Sequence, residues 1–160
     1  MLDRNRHALI DTARGLSEAD ARRRLVASLT TPIGLIKHAA TAERHWFQRI
    51  LLGLDESECD GYAAPGDGSF VVADGETLAD VIADFELASE RSRVIAADFE
   101  LDDTRTHPRT GDVSLRFIYL LLIEDFARHA GHGDILREQI TAARQAPVGV
   151  SSDRGGRMAR

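Results

Sequence analysis

The stretch that decides the reading runs Ile118-Tyr-Leu-Leu-Leu122-Ile-Glu-Asp125-Phe-Ala-Arg-His129-Ala-Gly-His132-Gly-Asp-Ile-Leu136-Arg-Glu-Gln-Ile140. At ~100° per residue, Ile118, Leu122, Asp125, His129, His132, Leu136 and Ile140 fall within about 40° of one direction. A helix packed by that stripe sets a carboxylate and two imidazoles among core leucines. Such groups are costly to bury unless they are paired, hydrogen-bonded or bound to something. Asp125 and His129 lie one turn apart on one face, the geometry with which a helix grips a metal ion. For the pair alone, an ordinary carboxylate–histidine ion pair on the flank is an equal alternative.

A second segment, Thr31-Pro-Ile-Gly-Leu-Ile-Lys-His38-Ala-Ala-Thr-Ala-Glu43-Arg-His-Trp46-Phe47, shifts that balance. Thr31 can cap a helix and Pro32 suits its first turn. Leu35, His38, Ala39, Ala42 and Trp46 make one apolar stripe, with Ile36, Ala40, Glu43, Phe47 and Leu51 beside it. Lys37, Thr41, Arg44 and Gln48 share the remaining sector and are expected to face water. His38 is thus also inside, and two buried helices offering ligands to one interior are how helix bundles build metal sites. Glu43, five residues from His38, is a candidate to orient a ligand or accept a proton; a salt bridge to Arg137 or Arg116 is the alternative.

These words, with Ser114-Leu-Arg-Phe117 and Ile123 through Glu138, resemble the DinB/YfiT-like superfamily of metal-binding four-helix bundles. Within it they resemble an actinobacterial branch related to mycothiol-dependent enzymes. The likeness extends from the N-terminal helix to about Arg144. It implies an all-α protein, a four-helix bundle in up-down-down-up order, with metal ligands at His38, Asp125 and His129. Asp125 stands where related isomerases carry the longer Glu. Neighbouring Glu124 points about 100° away from the stripe, so Asp125 is preferred. His132 stands where many superfamily members have Gln and is expected beside the ion's ligands rather than among them. Two imidazoles and a carboxylate leave coordination positions open and suit Zn²⁺, with Ni²⁺ or Fe²⁺ as alternatives.

The chain has 160 residues, 43% of them hydrophobic and 29% charged, as expected of one globular domain. Residues 1–146 are expected to form the bundle and 147–160 a flexible tail. The formal net charge is -6 and no basic stripe appears, which argues against a nucleic-acid partner. No run approaches the ~18 apolar residues of a membrane span, and the N-terminus lacks the apolar core of a secretory signal. A cytoplasmic protein is therefore expected. The single Cys59 sits among acids that disfavour a thiolate. Phosphate loops, dinucleotide fingerprints and nucleophile elbows are missing from the sequence.

Periodicity places helices at about Leu2 to Gly15, Pro32 to Leu52 and Thr77 to Asp98, with the fourth beginning near Asp112 as its cap. A short turn follows Ser17. Residues 53–75 read as a long irregular crossing with Phe70-Val71-Val72 as a brief extended piece, and 99–112 as a loop. His7 and His107 have no partners at useful spacing. Trp46 reads as core, and His45 as partly exposed.

The resemblance implies a metal-dependent transferase or isomerase that uses a small-molecule thiol of the mycothiol type against an electrophile. His132 and Glu43 would then position the thiol or move protons, and Arg116 or Arg137 would bind a carboxylate. A metal-dependent hydrolase, or a bundle that holds a metal or ligand without catalysis, are the competing readings. The resemblance also implies a homodimer, to which the sequence adds that the second helix is apolar around most of its circumference. In a monomer, the 53–75 crossing would have to cover that face.

Overall fold

The computed structural model describes residues 1–145. The tail expected from 147 onward lies outside the described residues. The chain forms helices α1 (Leu2–Ala13), α2 (Glu18–Ala21) and α3 (Pro32–Glu43), the last continuing as π-helical turns over Arg44–Leu51. After the crossing come α4 (Leu78–Ala96), strands β1 (Thr104–His107) and β2 (Gly111–Ser114), and α5 (Leu115–Gln145).

Each boundary has a local cause. Ser17 caps α2, accepting from Asp20 N. Thr31 Oγ1 accepts from Gly34 N at 3.1 Å to open α3. Thr77 and Asp80 form a reciprocal capping box at the start of α4. α1 packs along α5, and α3 along α4, around a core in which Leu9, Ile36, Phe47, Phe85, Leu122 and Phe126 are fully buried. Each such side chain contributes about 1.5–3 kcal/mol by leaving water. α3 also touches α5, and the candidate site lies along that contact.

Three expectations are corrected. The all-helical reading misses a hairpin: residues 104–114 are antiparallel strands pairing Thr104 with Ser114 and His107 with Gly111. Three residues close the turn, and Gly111 adopts the positive φ of 77° that such a loop needs. Asp112 is therefore a strand residue, bonded to Thr106 Oγ1 at 2.9 Å, and Ser114 is the cap, accepting from Phe117 N at 3.2 Å. Phe70 ends a 3-10 turn (Asp67–Phe70) rather than beginning an extended piece.

The sector of α3 assigned to water is also mostly buried. Thr41, Arg44 and Gln48 are all under 4% exposed. Two causes act together. The π-helical turns after Glu43 hold more residues per turn and rotate later side chains off the 3.6 period. The 53–75 crossing and α4 then close over this face: Arg44 donates to Asp60 of the crossing at 2.7 Å and to both oxygens of Asp84 on α4, while Asp60 N donates to Gln48 Oε1 at 3.1 Å. Lys37 pairs with Glu76, just before α4. The sector of α3 expected to face water is thus largely covered by the chain itself.

Candidate metal centre and adjoining cavity

The crossing is pressed onto the first turn of α3 because position 34 is glycine. A Cβ there would meet the Phe70 carbonyl oxygen at 3.0 Å and Thr31 Oγ1 at 2.8 Å. This approach sets Ser69 and Phe70 against His38, one turn further along. The Phe70 ring stacks on His38 with centroids 4.3 Å apart and planes 6° from parallel. Ser69 Oγ lies 2.8 Å from His38 Nδ1 and donates its one proton to the Gly66 carbonyl at 2.5 Å. Ser69 must then accept from His38, so Nδ1 carries a proton and Nε2 is the ring nitrogen left for the site.

His38 Nε2 faces Asp125 Oδ2 at 3.5 Å, and His129 Nε2 lies 3.4 Å from Oδ1 of the same carboxylate. Both separations exceed a good hydrogen bond. Burial alone would raise the Asp125 pKa, but the facing His129 and His38 outweigh it and hold the acid well below the usual carboxylate range. The second ring nitrogen of His129, Nδ1, is buried with no hydrogen-bond partner among the described residues. One donor atom from each of His38, Asp125 and His129 lies within 4.8 Å of the others, and this is the one such cluster among the described residues. An ionised carboxylate with two imidazole nitrogens fits a divalent cation. Without a cation or an added proton, the lone pair on His38 Nε2 opposes a negative oxygen.

α5 buries a stripe slightly different from the one expected. Ile118, Leu122, Phe126, Ala130, Gly133, Leu136 and Ile140 face the core. Asp125 and His129 sit on its edge, partly accessible, and His132 is exposed. The His132 ring lies 5.7 Å from that of His129, and it borders a separate surface hollow with Val26 and Ile135.

The other candidates from the sequence lie elsewhere. Glu43 is fully buried, and both its oxygens are taken by Arg6, at 2.7 and 2.9 Å, not by Arg137 or Arg116. Arg116 pairs with Asp102 at 3.0 Å. Arg137 caps the end of α1, donating to the carbonyls of Thr12 and Arg14 at 3.1 and 2.8 Å. Cys59 is partly buried; burial and the neighbouring Asp60 and Glu56 push its thiol pKa up, in line with the sequence reading.

A cavity of about 260 Å³ opens beside the cluster, with His38 and Asp125 on one side and His45, Trp46, His107 and Arg109 among its other walls. Sequence reasoning missed His107 because the hairpin that delivers it was read as a loop. Its ring is 5% exposed, stacks on Trp46 with centroids 5.2 Å apart, and lies 5.7 Å from His45. Burial first, then His107, Arg49 and Arg109, lower the pKa of His45 to about 4 against an opposing Ala63 carbonyl. His45 is thus a neutral wall at neutral pH, and its Nδ1 is buried without a partner among the described residues.

The described residues contain no helix long and apolar enough to cross a membrane. No curated protein matches the chain. The family model for mycothiol-S-transferase matches residues 1–142. The chain belongs to the mycothiol S-transferase family, a DinB/YfiT-like family, as the histidine words of the sequence imply.

Proposed function

Taking that family as the premise, we propose that the protein is a metal-dependent thiol S-transferase in which His38, Asp125 and His129 hold the ion. The observation that carries this reading is the convergence of one donor atom from each of His38, Asp125 and His129 beside an open cavity. When bound there, a divalent ion, Zn²⁺ first and Ni²⁺ or Fe²⁺ as alternatives, supplies the Lewis acidity that keeps a thiol as its thiolate at neutral pH. The chain supplies the rest. Ser69 and Phe70 fix the plane and tautomer of His38. The apolar and aromatic walls exclude water from the electrophile. The thiol sulfur forms a bond to an electrophilic carbon; a leaving group departs with its electron pair, or the adjacent carbon of a double bond takes up a proton.

The up-down-down-up bundle that the resemblance implies belongs to the same proposal, supported by the packing of α1 on α5 and of α3 on α4. A homodimer completes the proposal, covering Phe117 and Leu120, which are 41% and 61% exposed on α5. Sedimentation at micromolar concentration tests that part.

The catalytic test is turnover by tag-free, metal-loaded protein with mycothiol and a panel of alkylating and unsaturated electrophiles. Product carrying both halves, and loss of turnover when the thiol is omitted, are expected. Turnover that is unchanged without thiol replaces the transferase by a hydrolase.

A further inference from the structure

The substrate that meets the thiol must fit the cavity, and the cavity has a chemical bias. Its only acidic wall residue is Asp125, already committed to the two histidines. At its rim stands Arg109, whose guanidinium has no carboxylate or carbonyl partner among the described residues. The arginines elsewhere that bear on packing, Arg6, Arg44 and Arg93, are each tied to acids. Arg109 is also presented by a built turn. His107 is buried against Trp46, and its Nδ1 accepts from the backbone N–H groups of both Arg109 and Thr110, each at 3.2 Å. Gly111 closes the same turn with its positive φ. The hairpin therefore docks partly through His107, which packs on Trp46 and His45, and the same ring orders the residues that face the cavity. Arg109 is close enough to His45, on the opposite element, for its charge to help keep that ring neutral.

We propose that the electrophilic substrate is an organic anion, with a carboxylate or similar oxyanion, and that Arg109 is the residue that selects it. The inference rests on the transferase reading of the same site. Arg109 makes the charge-assisted contact at the rim while the substrate's reactive carbon lies toward His38 and Asp125. His107 is a positioning residue: it acts on the substrate only through the turn it holds.

The test uses metal-loaded protein, mycothiol, and two electrophiles that differ in one charge, 4-(bromomethyl)benzoate and its methyl ester. In wild type, kcat/KM for the acid should exceed that for the ester by about tenfold. In Arg109→Gln that ratio should fall to about one, and Arg109→Lys should restore part of it. Equal use of acid and ester by wild type, or an unchanged ratio in Arg109→Gln, overturns the proposal. Binding separates this inference from the transferase reading, because Trp46 is the chain's one tryptophan and lines the cavity. Without any turnover, benzoate titrated against Trp46 fluorescence should still bind wild type about tenfold more tightly than Arg109→Gln, relative to benzamide. That result sustains the anion site and withdraws the transferase; identical titrations overturn both.

Discussion

Two carboxylates borne by the long helices have opposite fates. Glu43, at the end of α3, is fully buried and has both oxygens gripped by Arg6 at 2.7 and 2.9 Å. Asp125, on α5, is partly accessible and faces two imidazoles at 3.4 and 3.5 Å, too wide for either to satisfy it. One site is closed by the chain's own cation. The other has its donors arranged around a gap. The first is architecture and the second leaves a carboxylate incompletely satisfied, although the sequence made both acids site candidates, Asp125 as a ligand and Glu43 as a group to orient one or move a proton.

Breaking the closed pair should produce the largest effect. Arg6→Ala leaves Glu43 charged, buried and alone, and should cost about 3–5 kcal/mol in urea unfolding of the metal-free protein. Replacing both partners, as Arg6→Met with Glu43→Leu, should recover most of that loss, because no uncompensated charge remains. If Arg6→Ala unfolds with a midpoint and slope like wild type, Glu43 has another partner and the contrast with Asp125 fails.

The open cluster should respond in the reverse sense. Asp125→Asn and His129→Ala should lower affinity for Zn²⁺ by about a hundredfold or more, while changing the stability of the metal-free protein by less than about 1 kcal/mol. Metal content after dialysis and urea titration, on the same tag-free preparations, separate the two readouts. Ser69→Ala should lose about tenfold in affinity, since the Nδ1 bond that fixes the His38 tautomer goes with it. Stoichiometric metal retained by both Asp125→Asn and His129→Ala would move the site off this cluster.

What was legible in the sequence follows from which interactions are local. The Thr31 cap and the approximate positions of the long helices came from neighbouring residues, and the i, i+4 pair Asp125–His129 was written into one helix. His38 could be joined to them because it lies on a second inward stripe and because the family resemblance carries a ligand to that position. The misses had several causes. Nothing near Glu43 in sequence announces Arg6, 37 residues upstream. The π-helical turns broke the 3.6 period on which the outward sector of α3 rested. The hairpin carried the subtlest signal: Thr104-Arg-Thr-His, a Pro, then Gly111-Asp-Val-Ser is two short β-prone runs around a turn, passed over because each is four residues long. His107 and Arg109 reached the cavity through that element, so missing the hairpin hid half of the site.

The smallest effect concerns His45, and it sharpens the comparison by asking whether a third imidazole near the cluster is a wall or a ligand. Its folded pKa, about 4, lies below the ordinary value of 6.5 chiefly because the ring is buried beside His107. Between those two values the unfolded chain binds the extra proton and the folded chain does not. Stability is therefore unaffected above about pH 6.5 and declines as the pH falls from there toward 4. At a ring that remains partly exposed, solvent screening reduces the contribution to the order of 1 kcal/mol. His45→Gln keeps a polar side chain but removes this titration. Its unfolding free energy should thus fall less steeply than that of wild type between pH 6.5 and 4.5. The measurement needs metal-free protein, because proton-driven release of an ion from His38 and His129 would add its own slope to both curves. Parallel curves for wild type and His45→Gln would mean that His45 charges freely in the folded state. The cavity wall would then carry a cation at mildly acidic pH, and His45 would join Arg109 in attracting anions.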